Sequence, residues 1–304
     1  LRCADALCDT LSVMTWFIYA VLGAFLTSLS AIVEKKALTR LHAMDFSIVV
    51  ALVAAALSSP ILLSVSWEHV TPAAFGLIAV IAVVAMFAFL DVTRGIRHLE
   101  ISTSSALFLF GPFISASLAY LILGETLTGI QLGGMLLLAL GLYVLETRHF
   151  WHGGEFVRNI WGDKYARYIL LGLLLYGFTI LGDRIVLSYY HVPAPLYTAI
   201  VQVLIAVCFI CYALIARGSI RAPLALARDN WKIILLSAIL MTSYRIMQAE
   251  AIAITTAVGL VIAIKRSSAL FTTIVGGELF SEHDLLRKSL ACLIMVAGVY
   301  CIVL

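Results

Sequence analysis

Charge is what this chain has least of. Of its 304 residues only 12% are Asp, Glu, Lys or Arg, against about a quarter in an ordinary soluble domain. That is too little to cover a water-facing surface of this size, so most of the outside must meet lipid. The net charge of +3 is small, and its Lys and Arg sit in connections rather than on a nucleic-acid-binding face. The six cysteines follow no disulfide or zinc spacing. Cys208 and Cys211 form a C-x-x-C, but inside the apolar run Val201–Ala216, where they read as small hydrophobes of a helix. No Asn-x-Ser/Thr site with an allowed middle residue occurs, and neither do a Gly-rich phosphate loop, H-E-x-x-H or G-x-S-x-G. An integral membrane enzyme acting on lipid-linked substrates would need paired acids or a His cluster at one membrane face, and none can be assembled. No catalytic residue, metal site or cofactor is expected.

What the chain has is apolar length: 63% hydrophobic residues and a mean hydropathy of +1.07. A helix crosses the hydrocarbon with about 20 apolar residues, within a range of about 17 to 25. Ten segments approach this: Trp16–Val33, Phe46–Val65, Pro72–Leu90, Ile101–Leu123, Ile130–Leu145, Tyr168–Leu187, Leu196–Ala216, Trp231–Met247, Ala257–Phe280 and Lys288–Leu304. Helices are expected because each satisfies its own backbone hydrogen bonds in lipid, and the alternation of a membrane barrel is missing. Leu1–Thr15 differs in composition from the rest of the chain, and Met14 precedes the first span, so Met14 is the expected biological start. A cleaved signal peptide is disfavoured, because no small-residue cleavage site follows the apolar stretch.

The chain repeats itself. Gly23–His42 reads GAFLTSLSAIVEKKALTRLH and Gly172–His191 reads GLLLYGFTILGDRIVLSYYH. In register, the glycines match, Glu34-Lys35 falls on Asp183-Arg184, and His42 falls on His191. Farther on, Glu125, Gly141 and Tyr143 recur with the same internal spacing as Glu282, Gly298 and Tyr300. Five spans per half is an odd number, so the second half enters the membrane in the opposite sense, as in the inverted repeats of many transporters. The expected fold is all-α, ten transmembrane helices as two inverted five-helix repeats over 16–145 and 168–304, with 146–167 as the linker.

These residues resemble the drug/metabolite transporter superfamily, in particular its EamA-type members, over nearly the whole chain from about Trp16. The resemblance rests on Trp16-Phe17-Ile18-Tyr19, then Gly124-Glu125 with Gln131, Gly133 and Gly141, and in the second half on Glu282 with Gly298. It implies one bundle around a central cavity, working by alternating access. It leaves the cargo open among amino acids, drugs, nucleotide sugars and sugar phosphates.

A charge at a helix centre costs about 2.5 to 3.5 kcal/mol on insertion scales, so such residues face a cavity or a partner. Lys265-Arg266 interrupt the ninth span. At about 100° per residue, Lys265, Ser268 and Thr272 share one small, polar half of that helix, with Arg266 at its border. The functional reading is a site for an anionic group: Arg offers a planar fork, Lys a point charge. The triose-phosphate translocator branch of the same superfamily is similar here, with a Lys-Arg pair on its ninth helix that contacts substrate phosphate. The structural alternative is an ion pair with Glu250, Glu278 or Asp183, or snorkelling. On the eighth span Ser237, Tyr244 and Gln248 form a stripe with Arg245 at its edge. They line a cavity, or else the Tyr and Arg mark an interfacial helix end. Tyr176 and Gln202 read as ordinary packing. Glu34 and Asp183, each followed by a base, read as local ion pairs at helix ends, with proton coupling as the alternative. His42 and His191 are expected to cap or solvate, and Asp91, Arg94, Arg97 and Glu100 to form a wet turn.

The resulting expectation is a secondary transporter for a small polar metabolite with an anionic group, working by exchange or with protons. Its substrate-binding residues would be Lys265, Arg266, Tyr244, Gln248, Ser268 and Thr272, and its proton-coupling candidates Glu34 and Asp183. A lipid-substrate enzyme and a non-transporting scaffold are the alternatives. Expected partners are the cargo, membrane lipid and protons, not nucleic acid, in a monomer or homodimer of a prokaryotic plasma membrane. The odd-numbered connections hold fifteen Lys and Arg, and the termini with the even-numbered ones hold only Arg2 and Arg184. Positive loops stay cytoplasmic, which places both termini outside, against the habit of several superfamily members.

Overall fold

In the computed structural model the described residues are 2–38, 41–99, 107–108, 110–146, 163–217, 223, 225, 228–255, 258–268 and 285–303. Among them the chain is helical throughout, with no strand: α1 (Arg2–Leu38), α2 (Ala43–Ser64), α3 (Pro72–His98), α4 (Phe110–Leu123), α5 (Gly129–Glu146), α6 (Lys164–Arg184), α7 (Ala194–Arg217), α8 (Trp231–Ile254), α9 (Val258–Arg266) and α10 (Leu285–Val303). A π-helical turn, Ile185–Tyr189, continues α6. Six of these are long and apolar enough to cross a membrane: α1 over Met14–Leu38, α2, α3, α6 with its π turn, α7 and α8. Shorter apolar helices cover Phe110–Leu123, Gly129–Gly141 and Leu293–Ile302. Large apolar side chains stand on the outside, with Leu63 91%, Ile215 86% and Leu121 75% exposed. Apolar patches of that extent have no place in water. The chain is a multi-pass membrane protein.

Local chemistry sets the helix ends. His42 Nδ1 accepts from Met44 N at 3.4 Å and caps α2, the capping role its loop position suggested. Thr71 Oγ1 accepts from Ala74 N at 3.2 Å, with Pro72 as the first helical residue of α3. Asp163 Oδ1 takes Tyr165 N at 2.8 Å to start α6. Gly124, at φ 68°, ends α4 in the left-handed conformation that favours glycine.

Several boundaries correct the sequence reading. The first helix begins at Arg2 and runs unbroken into the span expected from Trp16. Lys164–Arg167 belong to α6 rather than to the linker. Asp91, Arg94 and Arg97 are no wet turn but the continuation of α3; Glu100 lies outside the described residues. The helix persists because its polar groups find partners along and across it. Asp91 and Arg94 pair at 3.3 Å, Arg94 Nη2 reaches the Tyr212 hydroxyl of α7 at 3.4 Å, and Thr93 Oγ1 bonds Phe89 O at 2.6 Å. The eighth helix extends seven residues past Met247 to Ile254, so Tyr244 and Arg245 lie within it and not at an interfacial end.

Small residues let helices approach closely, as membrane interfaces require. A Cβ on Gly298 would come 2.7 Å from Leu138 N and 2.8 Å from Gly134 O, so α5 and α10 touch backbone to backbone. Gly172 does the same for α6 on α3, where a Cβ would meet Ala88 O at 3.0 Å. Gly133, by contrast, faces open space. The most extensive packing pairs are α5 with α10, α3 with α6, α1 with α8, and α2 with α7. Contacts of α4 with α6, α1 with α9, α3 with α7, α2 with α8 and α4 with α9 follow. Exchanging the first five helices with the last five turns this set of pairs into itself.

Candidate functional site

Three helices meet around Lys265. Ala20 and Gly23 of α1, Tyr244 and Gln248 of α8, and Val261 and Lys265 of α9 line one small hollow. At Gly23 a Cβ would sit in ordinary contact, 3.5 Å from Met247 Cβ, so α1 and α8 pack directly on each other there. Lys265 Nζ donates to Gln248 Oε1 at 2.5 Å and stands 4.7 Å from the centroid of the Tyr244 ring. An ammonium over an aromatic face is stabilised by the ring quadrupole. Both of these contacts come from neutral side chains.

The structure therefore brings together Lys265, Tyr244 and Gln248, three of the six residues expected to bind cargo. Ser268 is half-buried just beyond α9. The side chain of Arg266, and Thr272 and Glu278 altogether, lie outside the described residues. Ser237, read as part of the same stripe, is buried and donates to Ile233 O of its own helix at 2.8 Å. It serves packing, because a buried hydroxyl in an apolar helix takes the carbonyl one turn back.

Among the described residues neither repeated acid forms an ion pair with the base that follows it. Asp183 accepts a hydrogen bond from the Tyr197 hydroxyl of α7, and Arg245 and Lys265 act on it electrostatically. Its sequence neighbour Arg184 turns elsewhere. Arg184 Nε donates to Glu125 Oε1 at 3.2 Å, and its Nη1 donates to Ser188 Oγ at 2.9 Å and Ile252 O at 2.7 Å. Glu125 Oε2 in turn accepts from Val258 N at 2.9 Å. One ion pair thus joins the α4–α5 connection, the end of α6, the end of α8 and the start of α9. Glu34, on α1, is half-buried and within electrostatic reach of Tyr244. Successive residues of a helix point about 100° apart, so an acid and the base after it are turned toward different neighbours.

Tyr197 and the Glu125–Arg184 pairing have no counterpart in the sequence reading, which places Arg245 at the edge of the Tyr244 stripe, lining a cavity or marking an interfacial helix end. Glu125 was recognised only as part of a motif, without a partner. Gln202, read as packing, is 2% exposed and ties three helices together: its Oε1 lies 2.7 Å from Ser58 Oγ of α2 and 3.1 Å from Thr242 Oγ1 of α8.

The comparisons with known proteins bear on this arrangement in two ways. The EamA-like transporter family matches the chain over residues 14–147. A crystal structure of another protein superposes with a TM-score of 0.70 over 95% of this chain and 96% of its own, at 12% identity. Identity that low carries the fold and says nothing of cargo. No curated protein matches the sequence.

Proposed function

We propose, from the match of residues 14–147 to the EamA-like transporter family, that this protein is a secondary transporter for a small polar metabolite bearing an anionic group. The observation that carries the reading is Lys265, an ammonium inside the bundle held by a neutral amide and an aromatic ring. An anionic group entering the hollow would displace the Gln248 oxygen from Nζ. It would exchange a hydrogen bond to a neutral amide oxygen for one in which donor and acceptor are both charged. Tyr244 and Gln248 then flank the cargo, with Ser268 beside them and Arg266 and Thr272 assigned by sequence to the same helix face.

The architecture behind this reading is ten transmembrane helices in two inverted repeats, 16–145 and 168–304, that rock against each other. Two observations support it: the repeat of Glu34-Lys35 in Asp183-Arg184, and helix pairs that map onto themselves when the halves are exchanged. With the basic connections cytoplasmic, the Glu125–Arg184 pair lies at the outer side, about 6 Å of helix rise beyond Gln248 along α8. Glu34 and Asp183 are the candidates for coupling protons, since both adjoin the Tyr244–Arg245 segment.

The test is a melting screen of the purified protein over amino acids, organic acids and organophosphates, followed by flux of the best ligand into liposomes. Ligand at a hundredfold its Kd stabilises by about 2.7 kcal/mol. An anionic ligand should stabilise and be transported, and Lys265→Gln should lower its affinity more than that of a neutral analogue. Chemical conversion without flux, or stabilisation by neutral and anionic members alike, would overturn the reading.

A further inference from the structure

Arg245 stands within α8, one residue after Tyr244 and three before Gln248, so that it and Gln248 are neighbours on one side of the helix. Its Nε is buried and bonds no acceptor. The groups that act on its charge are Tyr244, which also shares a side-chain hydrogen bond with it, Tyr176 and Asp183. No direct ion pair with Asp183 forms among the described residues, although that carboxylate also feels Lys265. A guanidinium inside a membrane bundle, attracted to a carboxylate but not bonded to it, has donors to offer a further acceptor.

We propose that Arg245 is the fork that grips the anionic group of the cargo, and that Asp183 is its resident counter-ion, which the cargo displaces. This rests on the reading of the bundle as an anion carrier and adds to it the residue that competes with the cargo. Asp183 can release Arg245 because its carboxylate keeps the Tyr197 hydroxyl. Lys265 and Arg245 both act on the Asp183 carboxylate, so an anion that takes its place meets the same two cations. The arrangement suits a compact carboxylate or phosphate, because the guanidinium presents paired donors to a planar or tetrahedral oxyanion.

The sign of one substitution separates this from the alternatives. Asp183→Asn is nearly isosteric, can still accept from Tyr197, and removes the competing charge. The probes are acetate and inorganic phosphate, titrated against the full-length protein in detergent at fixed pH and ionic strength, with melting temperature as the readout. Wild type should be stabilised by at least one probe, and Asp183→Asn should reach half-saturation at about tenfold lower concentration. Arg245→Lys, which keeps the charge and loses the fork, should need about tenfold more. Weaker binding in Asp183→Asn would overturn the counter-ion role and make that carboxylate a ligand for the cargo. Unchanged binding in Arg245→Lys and Arg245→Gln, with binding lost in Lys265→Gln, would overturn the fork while leaving the anion-carrier reading standing. Absence of any anion-dependent shift in wild type would overturn both.

Discussion

Glu34-Lys35 and Asp183-Arg184 occupy the same place in the sequence repeat and live in different surroundings. Asp183 holds the Tyr197 hydroxyl, and Arg184 makes bonds to Glu125, Ser188 and Ile252 O. In the first half Glu34 is half-buried and Lys35 is exposed. The two dipeptides therefore cannot both be read from the pattern that predicts them. A repeat fixes which helix face a residue occupies, while the partner that meets that face belongs to the other half. With the halves in one particular packing, equivalent positions are free to differ.

Removing the better-bonded base tests this contrast most severely. Arg184→Gln leaves Glu125 without its cation in a site where the two side chains are only 19% and 12% exposed. Stripping one partner from a buried pair costs about 3 to 5 kcal/mol, and the residual exposure puts this pair near about 3 kcal/mol. It also frees the end of α8, since Ile252 O loses its donor. Detergent melting of the variant should show a larger loss than Tyr197→Phe, Glu34→Gln or Lys35→Gln. A loss under about 1 kcal/mol would mean that the pair is solvent-screened and that the two dipeptides are energetically alike.

Much of the architecture was legible in the sequence for a simple physical reason: a lipid-facing helix must be apolar over its whole length. Among the described residues helices lie on the apolar segments, six of them long and apolar enough to cross a membrane, and Lys265 meets Tyr244 and Gln248. What failed was the treatment of polar residues as helix breaks. Asp91 and Arg94 sit inside α3 because they pair with each other and with Tyr212. Arg245 sits inside α8 within reach of a carboxylate on α6. A hydropathy window reads each charge singly, so a charge whose partner lies on another helix looks like the end of a span. The Glu125–Arg184 pair joins residues 59 apart, a distance no local pattern spans.

The acids give a second, smaller test of the same contrast. Tyr197 is 4% exposed, and its hydroxyl serves Asp183. Tyr197→Phe keeps the ring and its packing but leaves the carboxylate without that donor. The loss should be about 1 to 3 kcal/mol, the cost of an unmet buried acceptor. Glu34→Gln in the other half should cost less than Tyr197→Phe in a parallel melt, because among the described residues no hydrogen bond ends on Glu34. An equal loss in the two variants would show that the Tyr197 bond does not set the two acids apart.

Lys35→Gln is expected to do least. Lys35 lies in the last turn of α1, where a cation is favoured by the helix dipole by about 0.3 to 1 kcal/mol at an exposed position. Lys36 beside it is exposed as well and supplies the same charge to the same helix end. The dipole contribution is therefore shared, and removing one of the two bases should change stability by no more than about 0.5 kcal/mol. Its repeat counterpart, Arg184→Gln, changes the same kind of residue at the same register and should cost several times more. Melting both variants in one detergent, at low and at high salt, separates the causes. The small Lys35 effect should vanish as salt screens the exposed charge, whereas the Arg184 effect should persist because its partner is largely enclosed. A salt-resistant loss for Lys35→Gln would mean that this lysine is held by a buried acid, and the contrast between the two halves would fall.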